Sequence, residues 1–111
     1  NNMIELVICN NDSMAEGAIT ALNTIGYNQD GGDKTIPVFG VDATDAAKSL
    51  ISKGQMAGSI KQDADGMAQC ITDIISNVAA GKDMMDGIAD KYTVDDSVNK
   101  IRIPYQIYLG E

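Results

Sequence analysis

Residues 4–9, IELVIC, are almost continuously apolar, the pattern of a short strand buried on both faces of a parallel sheet. After the polar triplet Asn10, Asn11 and Asp12 the rhythm lengthens. Met14, Ala18, Leu22 and Ile25 recur at helical spacing, with Ala15 and Ile19 beside them. Ser13 and Glu16 have the S-x-x-E spacing of a capping box, which sets the helix start at about Ser13, and Gly26 ends it. The stretch YNQDGGDKT, 27–35, is a polar, glycine-bearing loop, and its NQDGGD portion reads as a turn more readily than as a calcium loop. A second strand follows at IPVFGVD, 36–42, with Pro37 near its start, where no ladder donor is needed.

A short helix is expected over about Asp45 to Lys53, with Ala46, Ala47, Leu50 and Ile51 on one face and Gly54 as its stop. MAGSIK, 56–61, is a third and weaker strand. The longest helix spans about Asp63 to Ala80, with a stripe of Ala64, Met67, Ala68, Ile71, Ile74, Ile75 and Val78 and a stop at Gly81. Residues 82–100 are acidic and rich in turn formers. KIRIPYQIYL, 100–109, alternates with period two, so Ile101, Ile103, Tyr105, Ile107 and Leu109 share one side of an extended segment. Pro104 keeps that segment out of a central ladder over its full length. Alternating strands and helices of these lengths predict an α/β fold on an open parallel sheet with right-handed crossovers.

Ligands of such sheets sit beyond the carboxyl ends of the strands. Asn11 and Asp12 follow the first strand, Asp42 the second and Gln62 the third, so the expected topology gathers two amides and two carboxylates at one edge. Carboxylates accept hydrogen bonds and amides both donate and accept, a set that suits the hydroxyls of a neutral polyol. It does not suit phosphate, since neither a Gly-rich loop nor a nearby Lys or Arg accompanies it. Each position also has a structural reading. Asp12 and Asn11 are good helix-cap and turn residues. A carboxylate such as Asp42 at the end of a buried strand calls for a partner.

Composition narrows the picture further. The 111 residues suffice for one domain at most, and 44% of them are hydrophobic. Sixteen acids against eight bases leave a net charge of −8, with only Lys100 and Arg102 close together among the bases, which argues against nucleic-acid binding. Histidine is absent, removing the commonest general base and metal ligand. The two cysteines, Cys9 and Cys70, have no metal or CxxC spacing and read as small buried hydrophobes. No apolar run approaches the ~20 residues of a membrane-spanning helix, and the start, NNMIELVICNN, lacks a signal segment and an initiating Met.

Three stretches, VICNNDSMAEGAITAL, IPVFGVDA and LISKGQMAGSIKQD, together resemble the C-terminal part of the sugar-binding proteins of bacterial transport systems, in particular their glucose/galactose-binding members. The resemblance runs to KIRIPYQIYL and makes the chain about the last third of such a protein. It implies a type I periplasmic-binding-protein-like fold present only as a C-terminal portion. Residues 1–62 would belong to the C-terminal sugar-binding lobe, 63–100 would pack on the N-terminal lobe, and 101–111 would cross back. It implies that Asn11, Asp42 and Gln62 bind sugar hydroxyls. Gln62 departs from the glucose/galactose members, which carry Asn there, whereas ribose-binding relatives carry Gln.

Glu5 matches an acidic residue that completes a calcium site in those members, the other ligands lying upstream; a solvated acid at a strand start is the plainer reading. The implied function is binding without catalysis, by a receptor outside the cytoplasmic membrane, periplasmic or lipid-anchored, that serves an ABC permease and, in some relatives, a chemoreceptor. The alternative on the same fold is the effector-binding core of a sugar-responsive transcription repressor, against which IPVFGVDAT speaks. A glycosidase using Asp12 and Asp42 is the enzyme reading, and nothing in the sequence sets one carboxylate apart as an acid.

Overall fold

A computed structural model describes residues 3–98 and 100–110. In chain order the elements are β1 (Val7–Ile8), α1 (Asp12–Thr24), β2 (Val38–Val41), α2 (Asp45–Ser52), β3 (Gly58–Lys61), α3 (Ala64–Ala79), β4 (Thr93–Asp95), β5 (Lys100–Arg102) and β6 (Gln106–Tyr108). They divide into two units. Unit 1 comprises Asn1–Gln62 with Gln106–Glu111, and unit 2 comprises Asp63–Tyr105.

Unit 1 is a sheet of order β1-β2-β3-β6. β1, β2 and β3 run parallel, as expected of an α/β fold, and β6 joins β3 antiparallel, pairing Ser59 with Tyr108 and Lys61 with Gln106. Strand alternation decides which side is covered. β2 buries Val38 and Gly40 and leaves Phe39 and Val41 half-buried on the other face. Over the first face α1 lays Ala15, Ile19 and Leu22 and α2 lays Ala47 and Ile51, which pack with Val38 and Met56 as one cluster. On the second face Ile8 and Ile107 are each 75% exposed.

A buried asparagine closes this core at the other end of the strands. Asn28 sits at φ 51. Its Nδ2 donates to the carbonyls of Ile36 (2.7 Å) and Gln55 (2.8 Å), and its Oδ1 accepts from the Ile36 N–H at 2.8 Å. Gln55 Nε2 returns a bond to the Asn28 carbonyl at 2.9 Å. The loop 27–35 is therefore a pinned turn, and its acids lie exposed along it.

Unit 2 is built on α3. Asp63 is its N-cap, with the carboxylate accepting from the Gly66 N–H at 3.0 Å. Of the sixteen residues of α3, Cys70 alone is buried. The turn-rich segment after the helix is held to it by polar groups. Asn77 Nδ2 donates to the carbonyls of Met84 (3.2 Å) and Asp86 (2.8 Å). Asp73 accepts from Lys91 Nζ (3.0 Å), Gln69 Nε2 (3.0 Å) and the Tyr92 hydroxyl (3.2 Å). Ile88 is the buried apolar residue of the segment.

One local expectation is corrected and two are made specific. The helix start is not a Ser13–Glu16 capping box. Asn11 is the N-cap, its Oδ1 accepting from the Met14 N–H at 2.9 Å, and α1 begins at Asp12. Pro104 keeps the alternating segment 100–109 from forming one ladder over its length, as expected. Residues 103–105, centred on Pro104, part β5 from β6, and the two strands serve different units. Within the turn-rich stretch 82–100 the structure adds a strand, β4, which forms a hairpin with β5 that pairs Val94 with Ile101 and is closed by an Arg102–Asp95 ion pair. No helix among the described residues is long and apolar enough to cross a membrane.

Candidate functional site

The carboxyl ends of β1, β2 and β3 lie side by side, because each strand pairs with the next in the same direction. Asp42 leaves β2 with φ 113 and Ala43 follows at φ 52. Side-chain-bearing residues rarely adopt this half of the backbone map, and each costs of order 1–3 kcal/mol and persists only where its surroundings impose it. Three successive N–H groups do so here. Asp42 N–H donates to the Ile60 carbonyl at 2.7 Å, Ala43 N–H to Ser59 Oγ at 3.1 Å, and Thr44 N–H to Asp12 Oδ2 at 2.7 Å. Ser59 Oγ in turn donates to Asp12 Oδ1 at 2.6 Å.

The strained turn throws the Asp42 side chain outward, where it is exposed. Gln62, just past β3, reaches it, with Nε2 donating to Asp42 Oδ1 at 2.6 Å. Asn11, just past β1, is half-buried. Its oxygen is spent on the cap, which fixes the side chain and leaves the two donors of Nδ2 for another acceptor. Asp42 and Gln62 are thus in direct contact, and Asn11 stands at the end of the neighbouring strand. The set offers carboxylate acceptors beside amide donors, with no lysine or arginine bonded to them among the described residues.

Asp12 plays another part from either cap or ligand. It is fully buried, and both its oxygens bond away from α1. Ser59 is buried with it at 2% exposure. Gly40 makes room for Asp12, since a methyl at that position would collide with the Asp12 carboxylate and the terminal methyl of Met56. Sequence reasoning passed over Ser59 and Gly40. Their signal was faint: a small polar residue and a glycine inside otherwise apolar strands.

Glu5 is exposed on the bend before β1. Among the described residues no three His, Cys, Asp or Glu side chains gather as metal ligands. Calcium takes six to eight oxygens, and Glu5 brings two at most. Cys9 and Cys70 are free thiols, and burial, then the charge of Asp73, pushes the Cys70 thiol above its ordinary value.

Residues 1–83 match the family model described as the periplasmic binding protein domain. Over 104 residues, 94% of this chain, the sequence is 39% identical to the D-galactose/methyl-galactoside binding periplasmic protein MglB of Haemophilus influenzae, of which that stretch is 28%. It is 36% identical to a putative rhizopine-binding protein of Rhizobium meliloti over 78 residues, 70% of this chain and 24% of the relative. The chain therefore spans less than a third of the length of these curated relatives. The match over most of its residues, on a sheet of the expected class, decides the family: the chain belongs to the periplasmic binding proteins.

Proposed function

We propose that this chain carries part of the sugar site of an extracytoplasmic binding protein, with Asp42, Asn11 and Gln62 holding the hydroxyls of a monosaccharide, galactose or glucose foremost. The observation that carries the reading is the Asp42–Gln62 pair at the carboxyl edge of the sheet. An exposed carboxylate is held there in a strained turn, against an amide whose remaining groups can accept or donate. A sugar hydroxyl donates one bond and accepts others, so a carboxylate and an amide together can engage adjacent hydroxyls. Bonds to a carboxylate are charge-assisted and strengthen when water is excluded. Both relatives are named as binding proteins, one of them periplasmic, which supports a receptor over a repressor and gives no support to an enzyme.

In this reading the site is completed by residues outside the segment, and ligand binding shifts an open–closed equilibrium that a membrane permease, and in some settings a chemoreceptor, senses. Glu5 contributes to a calcium ion only in company with ligands from elsewhere in the longer polypeptide. The test is calorimetry with D-galactose and D-glucose on the whole polypeptide. Asp42→Ala is expected to weaken binding by about 2–4 kcal/mol, and Asn11→Ala by about 1–2 kcal/mol. Undiminished affinity in Asp42→Ala would remove the sugar site from this edge of the sheet.

A further inference from the structure

Asp12 is fully buried beside an apolar core, a place where a carboxylate is unfavourable unless its bonds are made. At the start of a helix its expected partners are the helix's own N–H groups, yet Asn11 supplies the cap. Both Asp12 oxygens instead reach across the sheet. Oδ2 accepts from the Thr44 N–H and Oδ1 from Ser59 Oγ, which itself accepts from the Ala43 N–H. The residues so held follow directly on Asp42, and Asp42 and Ala43 both have positive φ.

We propose that Asp12, acting with Ser59, is a positioning residue for Asp42. The buried carboxylate and hydroxyl hold the backbone of residues 43 and 44 so that Asp42 stays in its left-handed conformation, aimed at Gln62 and at the ligand. This inference rests on the sugar-site reading above. Without these two bonds the Ala43 and Thr44 N–H groups lose their partners, and the turn relaxes toward ordinary φ. That relaxation swings the Asp42 carboxylate out of register, because a change of φ at a residue redirects its own side chain. Gly40 belongs to the same device, since its missing side chain lets Asp12 approach β2.

A double-mutant cycle in the whole polypeptide, with D-galactose as the probe, separates positioning from plain stability. Asp12→Asn keeps the shape and removes one acceptor oxygen. It is expected to weaken galactose binding about tenfold when Asp42 is present, and less than about twofold in an Asp42→Ala background. Ser59→Ala, which leaves the Asp12–Thr44 bond in place, is expected to show the same pattern at smaller amplitude, and it carries the cycle if Asp12→Asn does not fold. Equal losses in both backgrounds, or unchanged affinity in the folded single variants, would overturn the positioning role. Wild-type affinity in Asp42→Ala alone overturns the sugar site itself and this inference with it, and that variant reports separately from the other two.

Discussion

Helix α1 turns Ala15, Ile19 and Leu22 into the core of unit 1 and leaves its other faces in water. Helix α3 is longer and carries as strong a stripe, yet Met67, Ile71, Ile75 and Val78 are 41–61% exposed and Cys70 alone is buried. The two helices have the same kind of pattern and unlike surroundings. For α1 the matching surface is the sheet formed by the strands on either side of it in sequence, β1 and β2. For α3 its own unit supplies a hairpin and a set of turns, tied on largely through Asn77 and Asp73. The difference teaches that periodicity identifies the face that seeks cover and is silent on what covers it.

The largest expected effect tests that contrast directly. In the 111-residue chain, Ile19→Ala is expected to cost about 2–5 kcal/mol in urea unfolding, through lost burial and a residual cavity. Ile75→Ala in the same chain is expected to fall within about 0.5 kcal/mol of the parent. Equal costs would dissolve the contrast between the helices. Repeating Ile75→Ala in the whole polypeptide sharpens it, because a cost that climbs toward the Ile19 value marks the stripe as covered there.

A smaller effect compares the polar ties of the two units. Asn28→Ala strands the Ile36 N–H and two carbonyls inside unit 1, and is expected to cost about 1–3 kcal/mol. Asn77→Ala frees two exposed carbonyls to water and is expected to cost within about 0.5 kcal/mol. Hydrogen exchange at the Ile36 amide reports the first directly, and protection that survives in Asn28→Ala would contradict it.

The smallest effect is a pH dependence confined to unit 2. The Lys91 ammonium, with Gln69, holds the Asp73 carboxyl below the ordinary carboxylate value of 3.8, and Asp73 raises Lys91 above the ordinary lysine value of 10.5. The Asp73 contribution is therefore complete above about pH 3.8 and is lost as pH falls through its depressed value. The Lys91 contribution is complete below 10.5 and is lost as pH rises through its raised value. Chemical shifts of Lys91 and Tyr92 followed on acidification should report the first loss, and Asp73→Asn should abolish that response. Both groups are near the surface, so the change in overall stability is small.

Much of unit 1 was legible because each of its parallel strands is a short apolar run followed by a helix with a clear stripe. The positions of Asn11, Asp42 and Gln62 at one edge followed from that alternation alone. What stayed hidden was contact across the sheet. Ser13-x-x-Glu16 satisfied the local rule for a cap, but Asn11 took the role. Nothing within four residues of Asp12 announces a hydroxyl at Ser59, distant in sequence and adjacent in space. The β4–β5 hairpin escaped for a different reason. β5 lay inside the alternating run 100–109, but its partner β4 is three residues long and ends in Asp95, too short for alternation to mark it.

The pairing of β6 with β3 has a consequence for how the chain is made. Unit 1 is discontinuous: all of Asp63–Tyr105 is synthesised between the strand that offers the edge and the strand that fills it. At ordinary elongation rates this leaves the backbone donors and acceptors of β3 open for roughly seconds after the rest of the parallel sheet can form. An open edge of that kind pairs with whatever extended segment arrives first, including one from a neighbouring nascent chain. Translation speed through the turn-rich stretch, and the company the ribosome keeps meanwhile, thereby become part of what determines the yield of correctly closed sheet.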